Sequence, residues 1–224
     1  MGQGRRRELL VAGIALATFP ASAARAKPKQ EEEVSPGEDL MREHGVLNRL
    51  LLVYDEIARR LDGREDGRFD VLAAAAALIR RFIEGYHEKL EEAQLFPRFE
   101  KAGKLTDLVA TLRQQHAAGR TLTGDILDHA VPATAANSAD RARLAGALRK
   151  FVRMYRPHEA REDTVLFPAF HQLVGQKEYG RLGEQFEEKE HEALGENGFE
   201  KAVAQVGDLE KALGIFDLDK FTPR

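Results

Sequence analysis

The sequence predicts an all-α protein, an antiparallel up-down-up-down four-helix bundle with a short C-terminal helical extension. Three observations predict this fold. Glycine and proline are sparse between residues 38 and 175, where Ala, Leu, Glu and Arg dominate, and this is the composition of helices. Apolar residues recur at spacings of three and four along four long stretches. Histidine and glutamate recur in an internal repeat with an offset of 71 or 72 residues, so a helical hairpin is duplicated.

The composition limits the possible partners and cofactors. The chain has 224 residues, 43% of them apolar, enough for one domain of ordinary size with extensions. A net charge of −3 implies no nucleic-acid partner. The absence of cysteine excludes disulfides, iron–sulfur clusters and thiolate metal sites. Any metal must therefore have nitrogen and oxygen ligands, which suit iron, manganese or zinc rather than copper(I).

Residues 1–26 read as an export signal. Three arginines at 5–7 precede an apolar run from Leu9 to Phe19, and small residues suited to cleavage follow. The run is much shorter than the roughly 20 residues that cross a bilayer. The arginines resemble those of a twin-arginine signal, which would make the protein periplasmic or otherwise exported, with no stable membrane insertion after signal removal. The alternative is an uncleaved N-terminal membrane anchor. Residues 27–36 read as a polar linker.

Four long helices are predicted within residues 37–175, the segment assigned to the bundle. They span residues 38–61, 69–101, 106–130 and 138–173. Ser35 followed by proline is a typical start for the first helix, and Gly63 and Gly103 are typical stops for the first two. Pro97 should kink or tighten the last turns of the second helix, because proline cannot donate to the carbonyl four residues back. Short links between long helices favour the up-down-up-down topology.

Residues 176–224 form the predicted C-terminal helical extension. Glycines, among them Gly175, Gly180 and Gly183, should break this segment into shorter pieces. Two modest helices are expected, at residues 184–194 and 200–213.

Histidines and glutamates of the repeat fall on the inner faces of the predicted helices. The segments 87–99 and 158–170 are near-copies, each with a histidine followed four residues later by a glutamate. Side chains four apart leave one face of a helix, so each pair points toward the bundle axis. A single pair of this kind is usually a surface salt bridge. Four imidazoles and two carboxylates in one core would be costly without a cation, however, so the duplication favours metal binding. The six candidate ligands are His44, His87, Glu91, His116, His158 and Glu162.

At these residues the chain resembles the hemerythrin-like, or HHE cation-binding, family, over about residues 37–175. The resemblance implies a non-heme site with two iron ions that reacts with or binds dioxygen. Peroxide and nitric oxide are further candidate reactants, and the nitrogen and oxygen ligands would also suit manganese or zinc. The resemblance also implies that His44 and His87 hold one ion and His116 and His158 the other, with both glutamates bridging.

One departure from the family pattern affects the expected chemistry. Oxygen-carrying hemerythrins have a further histidine one turn after the third, where this chain has Arg120. Arginine cannot be a ligand, so redox turnover, sensing or iron handling is favoured over reversible oxygen carriage. The family's last carboxylate is an aspartate at the position of Asp163, but the internal repeat favours Glu162.

Several other polar residues have two possible roles. Glu88 and Glu159 follow the paired histidines and are either solvated helix edges or additional acceptors and ligands. Tyr155 is either a core tyrosine or a hydrogen-bond donor in the site. His129 and His171 are expected at the surface or rim. His191 lies in a charged stretch, typical of a solvated helix, with a late fifth ligand as the alternative.

Two function classes remain open from the sequence. The first is a di-iron redox protein that handles small oxygen or nitrogen species. The second is a non-catalytic iron-binding or oxygen- or redox-sensing module, and a metal-free helical scaffold is a weaker third. The sequence identifies no catalytic residue, no organic cofactor and no oligomeric state.

Overall fold

The computed structural model describes residues 34–223, and every regular element within them is a helix. The prediction of an all-α protein is confirmed. The predicted export signal and most of the predicted linker lie outside the described residues. Within residues 34–223, no helix is both long enough and apolar enough to cross a membrane.

The first helix, α1 (Pro36–Gly63), has clear start and stop signals. The Ser35 side chain accepts a hydrogen bond from the backbone N–H of Glu38 at 3.3 Å, and proline occupies the first turn. Arg64 follows in the left-handed conformation, with φ of 56°, and ends the helix. The predicted bounds differ by two residues at each end.

The second helix, α2, is continuous over residues 69–102 but contains wide, π-helical turns. Its parts are Phe69–Leu78, the wide segment Ile79–His87, Glu88–Leu90, the wide turn Glu91–Leu95, and Phe96–Ala102. The N–H of Phe96 donates to the carbonyl of Glu91, five residues back. The turn before Pro97 is thus widened, and the expectation of a tightened turn was wrong. Proline has no N–H with which to continue the α-helical pattern, and wide turns recur at functional sites.

The third and fourth helices repeat this plan. Helix α3 (Thr106–His129) leads through a 3₁₀ turn (Pro132–Ala136) to α4, continuous over residues 138–174. The parts of α4 are Ser138–Arg161, the wide turn Glu162–Leu166 and Phe167–Val174. The N–H of Phe167 donates to the carbonyl of Glu162, directly before Pro168. The wide turn before Pro97 and the wide turn before Pro168 therefore begin at the duplicated glutamates, Glu91 and Glu162.

Two further helices pack against the first four in the same compact unit. They are α5 (Gln176–Leu194) and α6 (Gly198–Leu213), and a 3₁₀ turn (Leu218–Phe221) follows. The expectation that Gly180 and Gly183 break the chain was wrong, since both lie inside α5. A glycine inside a helix costs about 0.5–1 kcal/mol, and the burial of Leu182 and Phe186 offsets this cost.

Paired side chains give the relative directions of the long helices. Along α1, partner positions in α4 fall as positions in α1 rise, in the pairs His44–Asp163, Asp55–Arg156 and Asp62–Arg149. The same holds between α2 and α3, where Glu88 pairs with Arg120 and Glu100 with Arg113. Each of these two pairs of helices is therefore antiparallel.

The buried apolar residues form two clusters with a polar layer between them. One cluster includes Leu47, Ile83 and Tyr155. The other includes Leu40, Phe96 and Phe167. His44 lies on α1 between Leu40 and Leu47, one from each cluster. The candidate ligands therefore occupy a layer with an apolar cluster on each of two sides.

Candidate metal centre

The structure brings all six sequence-predicted site residues together in the polar layer. Each side chain is at least 96% buried. They form two groups, in each of which the donor atoms lie within 4.8 Å of one another. The groups are His44, His87 and Glu91, and His116, His158 and Glu162.

Both glutamates reach across from one group to the other. One oxygen of Glu91 lies 3.7 Å from Nε2 of His87, and the other lies 3.5 Å from Nε2 of His116. Oε2 of Glu162 lies 3.4 Å from Nε2 of His44 and 3.1 Å from Nε2 of His158. The wide turns of α2 and α4 begin at these two glutamates, so the irregular backbone lies at the candidate metal centre.

Every site imidazole has a hydrogen-bond acceptor at Nδ1. Because carboxylate and amide oxygens accept, each Nδ1 carries a proton, and Nε2, which is turned toward the centre of the layer, is the nitrogen available to a cation. The acceptors for His44, His87, His116 and His158 are, in that order, Asp163 at 2.7 Å, Glu43 at 2.6 Å, Glu92 at 3.1 Å and Gln115 at 2.8 Å.

Most of the inward-facing atoms lack hydrogen-bond partners. Nε2 of His44 and Nε2 of His87 lie within hydrogen-bond distance of each other, at 3.0 Å. All four carboxylate oxygens of Glu91 and Glu162, and Nε2 of His116, are buried without a hydrogen bond among the described residues. Buried acceptors without donors are costly. A cation that prefers nitrogen and oxygen ligands would satisfy them, so the donor set fits a metal.

The electrostatics of the layer favour the same conclusion. Burial raises the pKa of Glu91 well above its usual value, and the neighbouring Glu162 carboxylate raises it further. Burial lowers the pKa of His116 to about 4. Burial also acts to lower the pKa of His44, but the hydrogen bond to Asp163 and the nearby Glu162 carboxylate raise it well above its usual value. A bound cation would replace the protons that the raised pKa values leave on Glu91 and His44, and it would hold the carboxylates ionised.

Glu88 and Glu159 belong to the outer part of the site. They are 1% and 2% exposed, so their interpretation as solvated helix edges was wrong. Tyr155 donates to Glu88 at 2.6 Å, which makes the tyrosine both a core residue and a donor at the site. Asn48 donates to Glu159. Arg120 lies 2.7 Å from both Glu88 and Glu92, so its charge is held by carboxylates of α2.

The three remaining histidines lie away from the layer. His129 is partly exposed, and His171 and His191 are exposed, as expected for surface or rim positions. His191 lies on α5, and the alternative that it is a fifth ligand gains no support from its exposure.

Sequence reasoning missed the acceptors at Nδ1, although the repeat contains a signal for them. Glu43 and Gln115 precede the lone histidines by one residue, at an offset of 72. Glu92 and Asp163 follow the two duplicated glutamates, at an offset of 71. The repeat therefore duplicates the outer residues as well as the candidate ligands.

By its fold and its site, the chain is a helical metal-binding protein. The family model of the hemerythrin HHE cation-binding domain matches residues 35–169 and, in a second overlapping match, residues 108–217. The chain belongs to this family, and the resemblance read from the motif is confirmed.

The relatives that the chain matches are described only as uncharacterized proteins. The chain is 48% identical over 196 residues to uncharacterized proteins of Mycobacterium tuberculosis and Mycobacterium bovis, covering 88% of this chain and 77% of each relative. No solved structure gives a significant match.

Proposed function

We propose that this protein is a non-heme di-iron protein that reacts with dioxygen, peroxide or nitric oxide. One observation carries the proposal. Two equivalent groups of two imidazoles and one carboxylate face each other in one buried layer, and each carboxylate reaches both groups. His44 and His87 would hold one ion and His116 and His158 the other, with Glu91 and Glu162 shared.

Bound iron would supply the one-electron chemistry that protein side chains lack. The chain itself limits the access of water along the bundle axis, because apolar clusters cover the layer on two sides. The Nδ1 acceptors fix the orientation of each imidazole. Tyr155 holds a proton against Glu88 close to the site, with its ring centroid 5.3 Å from that of His158.

Arg120 supports redox turnover over stable oxygen carriage. Its guanidinium is paired with Glu88 and Glu92, and it adds no ligand to either group. Each group then has only two imidazoles, so neither ion would be saturated by the protein. Exposure of the reduced protein to air should therefore oxidise it irreversibly.

The test combines metal analysis with optical spectra. Protein from iron-fed cells should contain about two irons per chain, one for each group of donors. The spectrum should change on reduction and on admission of air, and removal of oxygen should not restore the reduced form. His116→Gln should lower the iron content, whereas His171→Gln, at an exposed position, serves as the control and should not. A folded protein with almost no iron would overturn the proposal, and reversible oxygenation would overturn its redox part.

Two further features belong to the proposal. The antiparallel pairs of long helices support the up-down-up-down arrangement of the bundle. The sequence of residues 1–26 supports export to the periplasm, where small diffusible oxidants would be the partners of the site.

A further inference from the structure

The outer acceptors of the four imidazoles are not equivalent. Three of them are carboxylates, and the fourth, Gln115, is a neutral amide that accepts from His158. Gln115 stands at the repeat position that Glu43 occupies for His87. The two halves of the site thus share one plan and differ at this residue.

A second difference weakens the carboxylate on the same half. Glu92, the acceptor for His116, also pairs with Arg120 at 2.7 Å and with Lys89 at 3.0 Å. Its negative charge is therefore shared with two cations. Glu43, the acceptor for His87, is 1% exposed, accepts from that histidine at 2.6 Å and forms no ion pair with a lysine or arginine among the described residues.

A carboxylate at Nδ1 makes an imidazole a stronger donor at Nε2. His44 and His87 each donate to a carboxylate, Asp163 or Glu43, that pairs with no lysine or arginine among the described residues. Their ion would therefore be held tightly. His116 and His158 are weaker donors, so their ion would be held less tightly. The weaker donors would also leave that ion with more positive charge and a greater affinity for added anions.

A cavity opens beside the same half. It has a volume of about 160 Å³ and lies between α3 and α4, where Gln115 and His158 contribute to its lining. Leu112 and Pro157 give it apolar walls, and Thr111 and Arg161 are exposed at its lining. Arg161 makes no ion pair among the described residues, so the cavity carries an available positive charge. Its size and charge suit a small neutral or singly charged anionic molecule.

We propose that the metal position of His116 and His158 is the exchangeable one, that small molecules reach it through the cavity beside His158, and that Gln115 is the positioning residue that sets this difference. The inference rests on the proposed di-iron function. The position of His44 and His87 is the tightly held, structural half.

Metal affinity tests the role of Gln115. Anaerobic titration of the metal-free protein with ferrous iron, in competition with a chromophoric chelator, should resolve a tight and a weak class of site. Gln115→Glu should raise the affinity of the weak class about tenfold, and Glu43→Gln should lower that of the tight class about 10–100-fold, as outer-shell changes typically do. Gln115→Glu should also weaken the binding of azide to the oxidised, loaded protein, followed by its optical spectrum.

The rate of azide binding tests the cavity. Thr111→Trp should block the cavity and slow azide association severalfold, while both metal affinities stay unchanged. Thr121→Trp is the matched control, because Thr121 is exposed on the same helix and, like Thr111, donates its hydroxyl to the carbonyl four residues back.

The outcomes separate this inference from the function on which it rests. Two equal classes of iron site, unaffected by Gln115→Glu, would overturn the inference and leave the di-iron function standing. Equal azide rates in the two tryptophan variants would overturn the access route. A folded chain that binds no iron would overturn both proposals.

Discussion

Gly119 in α3 packs directly against the ring of Tyr155 in α4, beside the metal centre. A methyl group added at this glycine would lie 2.8 Å from Cζ and 3.0 Å from Cε2 of Tyr155, and closer still to the hydroxyl oxygen. The tyrosine is 1% exposed and its hydroxyl is bonded to Glu88, so the ring has no free space into which to move. Gly119→Ala should therefore be destabilising.

The change in the free energy of unfolding combines one stabilising and two destabilising contributions. Replacing glycine by alanine inside a helix stabilises by about 0.5–1 kcal/mol. Overpacking a core typically costs about 1–3 kcal/mol, and loss of the hydrogen bond from Tyr155 to Glu88 adds about 1 kcal/mol. The free energy of unfolding of Gly119→Ala should thus fall by about 1–3 kcal/mol in total.

Gly146 provides the matched control. It lies inside α4, and a methyl group added there meets no atom within 4 Å. Gly146→Ala should raise the free energy of unfolding by about 0.5–1 kcal/mol. Urea denaturation followed by circular dichroism measures both variants. Equal stabilisation by the two substitutions would refute the packing of Tyr155 against α3. In a Tyr155→Phe background, the penalty at Gly119 should shrink, because the closest atom is gone.

Three further predictions follow from the site, the core and the N-terminus. Chelation of the metal should lower the Tm by about 5–10 °C, because a ligand at 100 times its Kd contributes about 2.7 kcal/mol to the native state. Glu84→Gln should stabilise the protein, and more so near pH 8 than near pH 4, as measured by Tm. Burial raises the pKa of Glu84 despite the nearby Thr123 hydroxyl and the charge of Arg80, so ionisation costs stability as the pH rises through the raised pKa, and glutamine removes that cost. Changing Arg6 and Arg7 together to lysine should leave precursor in the cytoplasm, as shown by cell fractionation, if a twin-arginine signal directs export.

Each of these predictions has a contrary result. An unchanged melting curve after verified metal loss would show that the centre contributes nothing to stability. A gain from Glu84→Gln that is the same at both pH values would show that this carboxyl is not destabilised by ionisation. Normal export of the double lysine variant would point to the general secretory route or to a membrane anchor.

The sequence by itself determined the helices and the candidate ligands. Periodicity and stop residues placed the ends of α1 and α3 within two residues, because capping and helix propensity are local. Spacings of four residues placed His87 with Glu91, and His158 with Glu162, on inner faces, because the pitch of a helix fixes which side chains share a face. The internal repeat then predicted that these residues meet, and the structure brings them into one layer. Their role as ligands stays a prediction.

Only the tertiary structure decided the surroundings of that layer. Gly180 and Gly183 lie inside α5 because contacts with the other helices outweigh their weak local preference. Glu88 and Glu159 are buried because neighbouring helices cover them and supply Tyr155, Arg120 and Asn48 as partners. Spacing along one helix cannot reveal such partners, which come from helices distant in sequence. The difference between Gln115 and Glu43 is visible in the sequence, but its meaning is not, because it depends on which imidazole each residue reaches across the bundle.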